Sequence, residues 1–597
     1  MPGVTPYTFR VGVIGHRTLK DPSAVKLAVE NIFKRLEMMM KQIIINPNQY
    51  NSTAQSTWRK AESQVIRYSK LFLASIGILR KETPPEQRTV HKWHIISSLA
   101  KGTDQIVVKS AMDILGASLE VVLPFRTEDY KQDFDLYEDL KTFNLLYEKA
   151  DSKLNHTFEL EPAPAERSEG YRKAGEMLVQ SSEIILAVWD GMPAQGEGGT
   201  AEMAEYALSL KRPVIWINAN DPSLPIQLIS SLTKREGNSI EIKTKPFRGR
   251  ACELSQQFTD LVEYNRDPAF NESGYTGIYN KYSDRLEKAR IESGLSEAAV
   301  AVLLKKTLSH YSRADYLARH YQKIHTRSAK WLYRLSTIAV IVAIVQALFF
   351  PAYSGLILFE ILALLVALIW YRVGIAENWQ RKWLNYRHLA ERLRIMTFRC
   401  LIKPGTTRPE NEKKQSLPFY QGPGEWVLVV ADHIQGLLTG SEGPENNLNQ
   451  VRNFILMGLI RDQAGYYATT ARKKAKHTKL EQRFIGLLLV ITLLAAAFHL
   501  FDLGHNRTFE NMIVTLVVVL PAIAASQHAI GSIHDYERIS SRSSRMEEIL
   551  QRLEKSFEKA ATFDELRTEI QNAEDILSTE NHEWCVSLSF RRISIPV

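Results

Sequence analysis

The stretch that decides the fold runs from Ser182 to Asn218, SEIILAVWDGMPAQGEGGTAEMAEYALSLKRPVIWIN. Ile184 to Trp189 is a continuous apolar run of strand length, which predicts a buried strand that stops at Asp190-Gly191. Gly198-Gly199-Thr200 then opens a helical pattern carrying Ala204, Tyr206 and Ala207, and Val214 to Ile217 follows as a second buried strand. The unit is strand, glycine loop, helix, strand. Ligands of such units lie beyond the carboxyl ends of parallel strands, and a glycine lets backbone N–H groups and the helix end approach a phosphate. A glycine pair before a helix is equally compatible with a tight turn, so the rest of the chain must decide.

With 597 residues, 45% hydrophobic and 24% charged, the chain reads as several packed domains rather than a disordered polymer. Three dispersed cysteines, Cys252, Cys400 and Cys585, fit neither a disulfide framework nor a zinc site and read as structural thiols; no metal site is expected. The net charge of +9 sits in Lys and Arg residues clustered around apolar runs, which points to a membrane surface and away from nucleic acid. Residues 1–10 carry no basic-then-apolar pattern, so no cleavable signal is expected and the first domain is expected to begin in the cytoplasm.

Upstream, Arg10 to Ile14 predicts a strand ending in Gly15-His16-Arg17, followed by a helix with Leu27, Ile32 and Leu36 on one face. Gly15 permits close approach, Arg17 offers a donor fork matched to a phosphate or carboxylate, and His16 alone reads as a loop residue. Leu71 to Ile78, Trp93 to Ser97 and Leu119 to Leu123 predict further strands, and Asp104 to Leu115 a crossover helix after the loop Ser98 to Thr103, which contains Gly102. After Leu123 come Pro124-Phe125-Arg126 and Asp129-Tyr130, where an aromatic and a base can stack on and pair with a nucleotide, or form an ordinary loop rim. Four polar or glycine-bearing loops at four strand ends converge on one side of a parallel sheet.

These residues resemble the SLOG family, a Rossmann-like nucleotide-binding group that includes the LOG enzymes and ligand-sensing domains of bacterial defence proteins. The matching pieces are GVIGHR at Gly12 to Arg17, SSLAKGTD at Ser97 to Asp104, LPF at Leu123 to Phe125, and AVWDG with GEGGTAE between Ala187 and Glu202. Coverage is about residues 8–225. The resemblance implies that Tyr171 and Arg172, on the helix before the central strand, face the ligand. The implied nucleotide-binding set is Gly15, His16, Arg17, Ser98, Gly102, Asp104, Phe125, Arg126, Tyr130, Tyr171, Arg172, Asp190, Gly191, Gly198, Gly199, Thr200 and Glu202. LOG-type hydrolases place a glutamate three residues after the signature threonine, and here that position is Met203, with Glu202 and Glu205 flanking it. A one-residue displacement on a helix rotates a side chain by about 100°, so binding without catalysis is expected, with no catalytic residue assigned.

Residues 226–309 are quieter: Lys234 to Arg250 reads as a basic loop and Tyr279 to Leu304 as a helical connector. Beyond them, Leu335 to Phe350 and Leu356 to Tyr371 are apolar runs joined by a short turn, and Phe484 to Phe501 with Met512 to Ile530 form a second pair. Two transmembrane hairpins, four spans, are expected; the competing reading is the core of a soluble helical bundle. Arg327, Lys330 and Arg334, then Arg372, Arg381 and Lys382, then Lys473, Lys474, Lys476, Lys479 and Arg483 flank the spans on one side. That asymmetry places both termini in the cytoplasm of a multi-pass inner-membrane protein.

The hairpins also read as copies. Ala314-Asp315-Tyr316 and Ala464-Gly465-Tyr466, like Phe359-Glu360 and Phe509-Glu510, lie 150 residues apart, and Glu391-Arg392-Leu393 resembles Glu548-Ile549-Leu550 at a slightly larger offset. Each copy, cytoplasmic helix, two spans, cytoplasmic helix, resembles SLATT, the two-transmembrane effector domain that accompanies SLOG sensors. Glu360 and Glu510 read either as headgroup-level carboxylates or as an acidic ring at a pore mouth, and His499 and His528 as interface residues. The stripe Leu566, Ile570, Ala573 and Ile576 reads as packing or an oligomer contact.

The expected architecture is an α/β Rossmann-like domain at 1–230, a partly helical connector at 231–309, an all-α membrane region with a first hairpin at 310–403, a linker at 404–454, and a second hairpin with C-terminal helices at 455–597. The expected function is a nucleotide-sensing, homo-oligomeric membrane effector of bacterial antiviral defence. Its ligand would be an ADP-ribose-type or cyclic nucleotide made by a separate signal-generating enzyme, with no cofactor. The alternative is a membrane-anchored nucleotide hydrolase or transferase related to LOG enzymes.

Overall fold

The computed structural model describes residues 7–45, 91–150, 156–157, 164–193, 198–235, 239–247, 256–267, 269–303, 307–399, 401–402, 426–427, 430–431, 434, 447–501 and 506–589. The expected strand Leu71 to Ile78, Cys252, Cys400 and most of the middle linker lie outside them.

Among the described residues the N-terminal part forms one eight-stranded sheet in the order β4-β3-β2-β1-β5-β6-β7-β8. Its central strands are β1 (Tyr7–Gly15), β2 (His91–Ser97), β3 (Ser118–Leu123), β5 (Ile184–Trp189) and β6 (Val214–Asn218), all paired in parallel. The two-residue β4 (His156–Thr157) extends the edge beyond β3. Every side chain of β5 is buried, which explains its unbroken apolar sequence: a central parallel strand is covered on both faces. The covering helices are α1 (Pro22–Ile45), α2 (Thr103–Leu115), the short α3 (Thr127–Lys131), α4 (Tyr137–Lys149), α5 (Pro164–Ser181) and α6 (Thr200–Ser209).

From β1 the chain moves through α1 to β2 on one side, and from β5 through α6 to β6 on the other. The strand order therefore reverses between β1 and β5, and loops beyond their carboxyl ends flank a crevice at the switch point. The expectation of a basic loop over Lys234 to Arg250 is corrected: β7 (Gln227–Arg235) and β8 (Ser239–Pro246) form an antiparallel hairpin that completes the sheet edge. Alternating residues such as Ile240, Glu241, Ile242 and Lys243 pack one face only, so charge on the other face hid the strand. The sheet thus runs past the expected boundary at 230.

The rest of the described chain is helical. After α7 (Gln256–Asn265), α8 (Glu272–Ser293) and α9 (Glu297–Leu303) come α10 (Ser309–Phe349), α11 (Gly355–Ala376) and α12 (Trp379–Arg399). Then follow α13 (Leu448–Ile455), a π-helical segment Leu456–Arg461, α14 (Asp462–Leu500), α15 (Arg507–His534), α16 (Tyr536–Lys559) and α17 (Phe563–Ser589). Four apolar stretches on α10, α11, α14 and α15 suffice to cross a membrane, and only 11 to 17% of each is buried within the chain. A soluble bundle core would be buried; here Leu358, Phe359, Leu365, Leu487 and Leu493 face outward. The protein is therefore a membrane protein, with four candidate spans among the described residues. At 22 residues, α11 extends about 33 Å, enough for a hydrocarbon core of about 30 Å, and α10 continues far beyond it on one side.

The two hairpins share details that composition does not reveal. Asn378 joins α11 to α12 and Asp535 joins α15 to α16, each in the left-handed region, with φ of 52° and 45°. Each kink carbonyl accepts the N–H four residues on, from Lys382 and from Ile539, both at 2.9 Å. A short π-helical turn precedes both α10 and α14. The hairpins touch: α10 packs against α15, and Asn511 Nδ2 donates to the Leu348 carbonyl at 2.8 Å, satisfying an otherwise orphaned carbonyl at the end of α10. The stripe Leu566, Ile570 and Ala573 is buried inside the chain, where α17 packs on α12, so it is intramolecular packing.

Candidate functional site

The β1 and β5 loops meet through His16. Its Nε2 lies 3.1 Å from both the backbone N and the carboxylate of Asp190, while its backbone N–H donates to the Val188 carbonyl at 3.1 Å. Burial alone would raise the Asp190 carboxyl, but the Met192 N–H and His16 outweigh it and hold it below the ordinary value. Thr103, opening α2, donates its hydroxyl to the His16 carbonyl at 2.9 Å and draws the β2 loop into the same place. Close approach here is steric: a Cβ on Gly15 would lie 2.5 Å from the Thr103 side chain, and one on Gly102, at φ 83°, 2.4 Å from the Arg17 carbonyl. Gly15 thus serves loop-on-helix packing.

Asp104 sits beneath this corner, 6% exposed, and accepts the Ser97 hydroxyl at 2.8 Å. Burial pushes its carboxyl up to about 6, against the pull of Ser97, the Ala100 and Ser98 N–H groups and the Arg17 charge. Ser97 also accepts the N–H of Leu99, a buried leucine held at φ 54°. A non-glycine residue in that region is strained, and it lies beside the candidate site, where such strain concentrates. Arg17 is exposed, with its guanidinium 4.8 Å over the Tyr171 ring. Tyr171 in turn donates its hydroxyl to Asp133, which also pairs with Arg167.

Two expected contacts change. Phe125 and Tyr130 are 0% and 1% exposed, so neither offers a free face to a base; they form the floor under Tyr171, the Phe125 and Tyr171 ring centroids 5.3 Å apart and the rings nearly perpendicular. Arg126 stays exposed at the start of α3, Ser98 is half-buried, and Arg172 pairs along its own helix with Glu176 at 2.7 Å. Sequence reasoning missed Ser97, Asp133 and Arg167. The spacing of Arg167 and Tyr171, one helical turn apart, was the available signal.

On the β5 side, Gly191 has φ 86° and Gly198 φ 75°. A Cβ on Gly198 would sit 2.8 Å from backbone atoms of Tyr171 and Arg172, so Gly198 lets the loop lie against α5; Gly199, at φ −69°, is an ordinary residue before Thr200. Gly198→Ala is expected to destabilise the domain by about 2 kcal/mol or more, and Gly199→Ala by under about 0.5 kcal/mol. Unfolding of both variants of the full chain measures this, and equal losses would contradict the assignment. Glu202 accepts the Gly198 N–H at 2.8 Å and closes the loop. Met203 points into the core, 2% exposed and packed on Gly175 of α5. Among the described residues no group of His, Cys, Asp and Glu could hold a metal ion.

α1 holds the chain just past β8, and the turn after α7 is tied to the helical region. Arg35 on α1 donates to the Phe247 carbonyl at 3.0 Å and covers its ring. Asp267, after α7, accepts the hydroxyls of Tyr321 on α10 and Tyr386 on α12, at 2.8 and 2.9 Å. Arg313 on α10 donates back to the Tyr264 and Asn265 carbonyls at 3.1 and 2.6 Å. Trp426 of the middle segment packs on Tyr264 and Tyr386 at the same junction. No curated protein matches the chain. Residues 458–584, from the end of the π-helical segment into α17, match the model of the SMODS and SLOG-associating 2TM effector domain 1, so the second hairpin is similar to a two-span effector domain.

Proposed function

We propose that this chain is a nucleotide-gated membrane effector of bacterial antiviral defence. A nucleotide-derived second messenger, made by a separate enzyme, binds the SLOG-like domain at the β1/β5 crevice and shifts oligomeric four-span subunits toward a permeable state of the inner membrane. The observation that carries the reading is the join between the chain that follows the sheet and the first hairpin, where Asp267 after α7 accepts hydroxyls from α10 and α12. The match of the second hairpin to a SLOG-associating effector domain supports it. So does the first hairpin, whose left-handed kink and π-helical turn repeat those of the matched one, Asn378 preceding Asp535 by 157 positions. The corresponding offset at Glu360 and Glu510 is 150, so the duplication reading places an insertion in the second span, where α15 has 28 residues and α11 has 22.

Binding without hydrolysis is favoured because Met203 is buried and the Glu202 carboxylate is engaged by the Gly198 N–H. Full-length protein in liposomes loaded with a quenched dye is the test, with ADP-ribose and cyclic dinucleotides as probes. Dye release is expected only with a probe that binds. Arg17→Ala is expected to weaken that probe by about 1.5 to 3 kcal/mol, roughly 10- to 150-fold, by removing a charge-assisted contact. Leakage independent of every probe would refute gating, and turnover of a bound probe without leakage would favour a membrane-anchored hydrolase.

A further inference from the structure

A second cluster of cationic and imidazole groups lies away from the crevice, where α10, α14 and the α15/α16 kink come together. The Tyr536 ring is stacked by His534 at 5.0 Å with 5° between the planes and by His477 at 5.3 Å, and Lys474 Nζ lies 4.6 Å over it. Lys330 of α10 acts on both Lys474 and His534 through its charge. His534 Nε2 is buried with no hydrogen-bond partner in the protein, an arrangement that leaves a polar atom for something else to satisfy.

The electrostatics are one-signed at the two half-buried groups. Burial lowers the Lys474 ammonium, and the charge of Lys330 lowers it further. Burial likewise pushes His534 down to about 4, with Lys330, Lys474 and His477 all acting in the same direction. The carboxylates nearest in sequence on the same elements are Asp535 at the kink, Glu537 in the first turn of α16, and Glu481, one turn along α14 from His477. Glu481 lies against Gly531, and burial raises its carboxyl, which favours its neutral form.

Position names the ligand. Lys330 lies five residues before the apolar run that starts at Leu335, and His534 four residues beyond the run that ends at Ile530. At 1.5 Å per residue these two sit about 6 to 8 Å outside the hydrocarbon core, the depth of the lipid headgroups, and His477 and Lys474, seven and ten residues before Phe484, sit about 10 and 15 Å out on its aqueous side. We propose that Lys330, Lys474, His477 and His534 form a binding site for the phosphate of an anionic inner-leaflet phospholipid, clamped between the two hairpins. Two ammonium groups are suited to a phosphodiester as point charges, and the imidazoles supply donors beside them. The proposal rests on the membrane reading of the four helices and is independent of the nucleotide reading.

The test uses full-length protein in a neutral detergent, titrated separately with phosphatidylglycerol, phosphatidylcholine and inorganic phosphate. Bound lipid is read by native mass spectrometry and stability by thermal midpoint. Phosphatidylglycerol is expected to be retained and to raise the midpoint more than phosphatidylcholine does. Lys330→Gln with Lys474→Gln should bind it at least tenfold more weakly, since each lysine near a headgroup contributes about fivefold. Lys474→Met keeps the apolar stem over Tyr536, so a loss of about fivefold there is a loss of charge and not of fold. Lys473→Gln with Lys476→Gln, on the exposed face of α14, should leave retention unchanged. Equal losses in both double variants would reduce the effect to general basic attraction and overturn the site. Unchanged retention in Lys474→Met would overturn it too, and an equal effect of inorganic phosphate would reassign it to a free anion.

Discussion

Replacing Asp267 with alanine is expected to cost about 3 to 5 kcal/mol and to loosen the turn after α7 from α10 and α12. The carboxylate is fully buried. Oδ1 accepts the Tyr321 hydroxyl at 2.8 Å and the Ala269 N–H at 2.9 Å, and Oδ2 accepts the Tyr386 hydroxyl at 2.9 Å with Lys382 Nζ 3.9 Å away. Removal leaves two hydroxyls and a backbone N–H unpaired in a dry site, and Lys382 with Glu263 at 3.1 Å as its close remaining acid. Burial works against the Lys382 charge, yet Asp267, Glu263 and Glu377 together hold its pKa above the ordinary lysine value, so the ammonium stays charged and needs its partners. Asp267→Asn, which keeps an acceptor but loses the charge, should fall between wild type and alanine. Unfolding in detergent measures the stability, and the dye-release assay measures the connection. A loss below about 1 kcal/mol would mean that this cluster does not hold the junction.

The second large effect is a pH dependence carried by Asp104. Its folded-state pKa of about 6 lies above the ordinary 3.8, so the folded state holds this proton more tightly than the unfolded chain does. The stability it contributes is complete below about pH 3.8 and is lost as pH rises through about 6. The loss is about 3 kcal/mol, at 1.36 kcal/mol per pKa unit. Other groups oppose it: His325 and His534, pushed down to about 4, and His388, to about 3, lose stability as pH falls through the same window. The measurement must therefore be a difference. Asp104→Asn has no proton to release, so its stability relative to wild type should improve by about 2 kcal/mol from pH 4 to pH 7, whatever constant packing change the amide brings. A difference that stays flat across the window would show that Asp104 titrates normally. An anion bound beside Arg17 and Asp104 would raise the carboxyl further, so ADP-ribose or another phosphate-bearing probe that binds there should bind more tightly at pH 5.5 than at pH 7.5.

Sequence alone determined what depends on a residue's own neighbours. Ile184 to Trp189 read as a strand because a central parallel strand is apolar on both faces, and the four outward-facing apolar helices declared themselves by length and composition. The β7/β8 hairpin escaped because one face is wet, and its lysines masked the alternation. Tertiary packing decided the rest. That Gly198 needs its missing Cβ depends on how near the loop passes to α5, a distance set by residues more than twenty positions upstream. Phe125 and Tyr130 became floor because Tyr171 and Gly170 of α5 close over Phe125, which no local pattern announces. The left-handed turns at Asn378 and Asp535 have no sequence signal of the glycine kind; each holds because the helices on both sides are fixed by their partners. Asp267, alone in a polar turn of the sequence, became the buried tie between the turn after α7 and the helices α10 and α12 through tyrosines 54 and 119 residues away. A hydrogen-bonded carboxylate of that kind is a long-range fact, because the groups that make its burial tolerable come from helices that the turn reaches only in the folded chain.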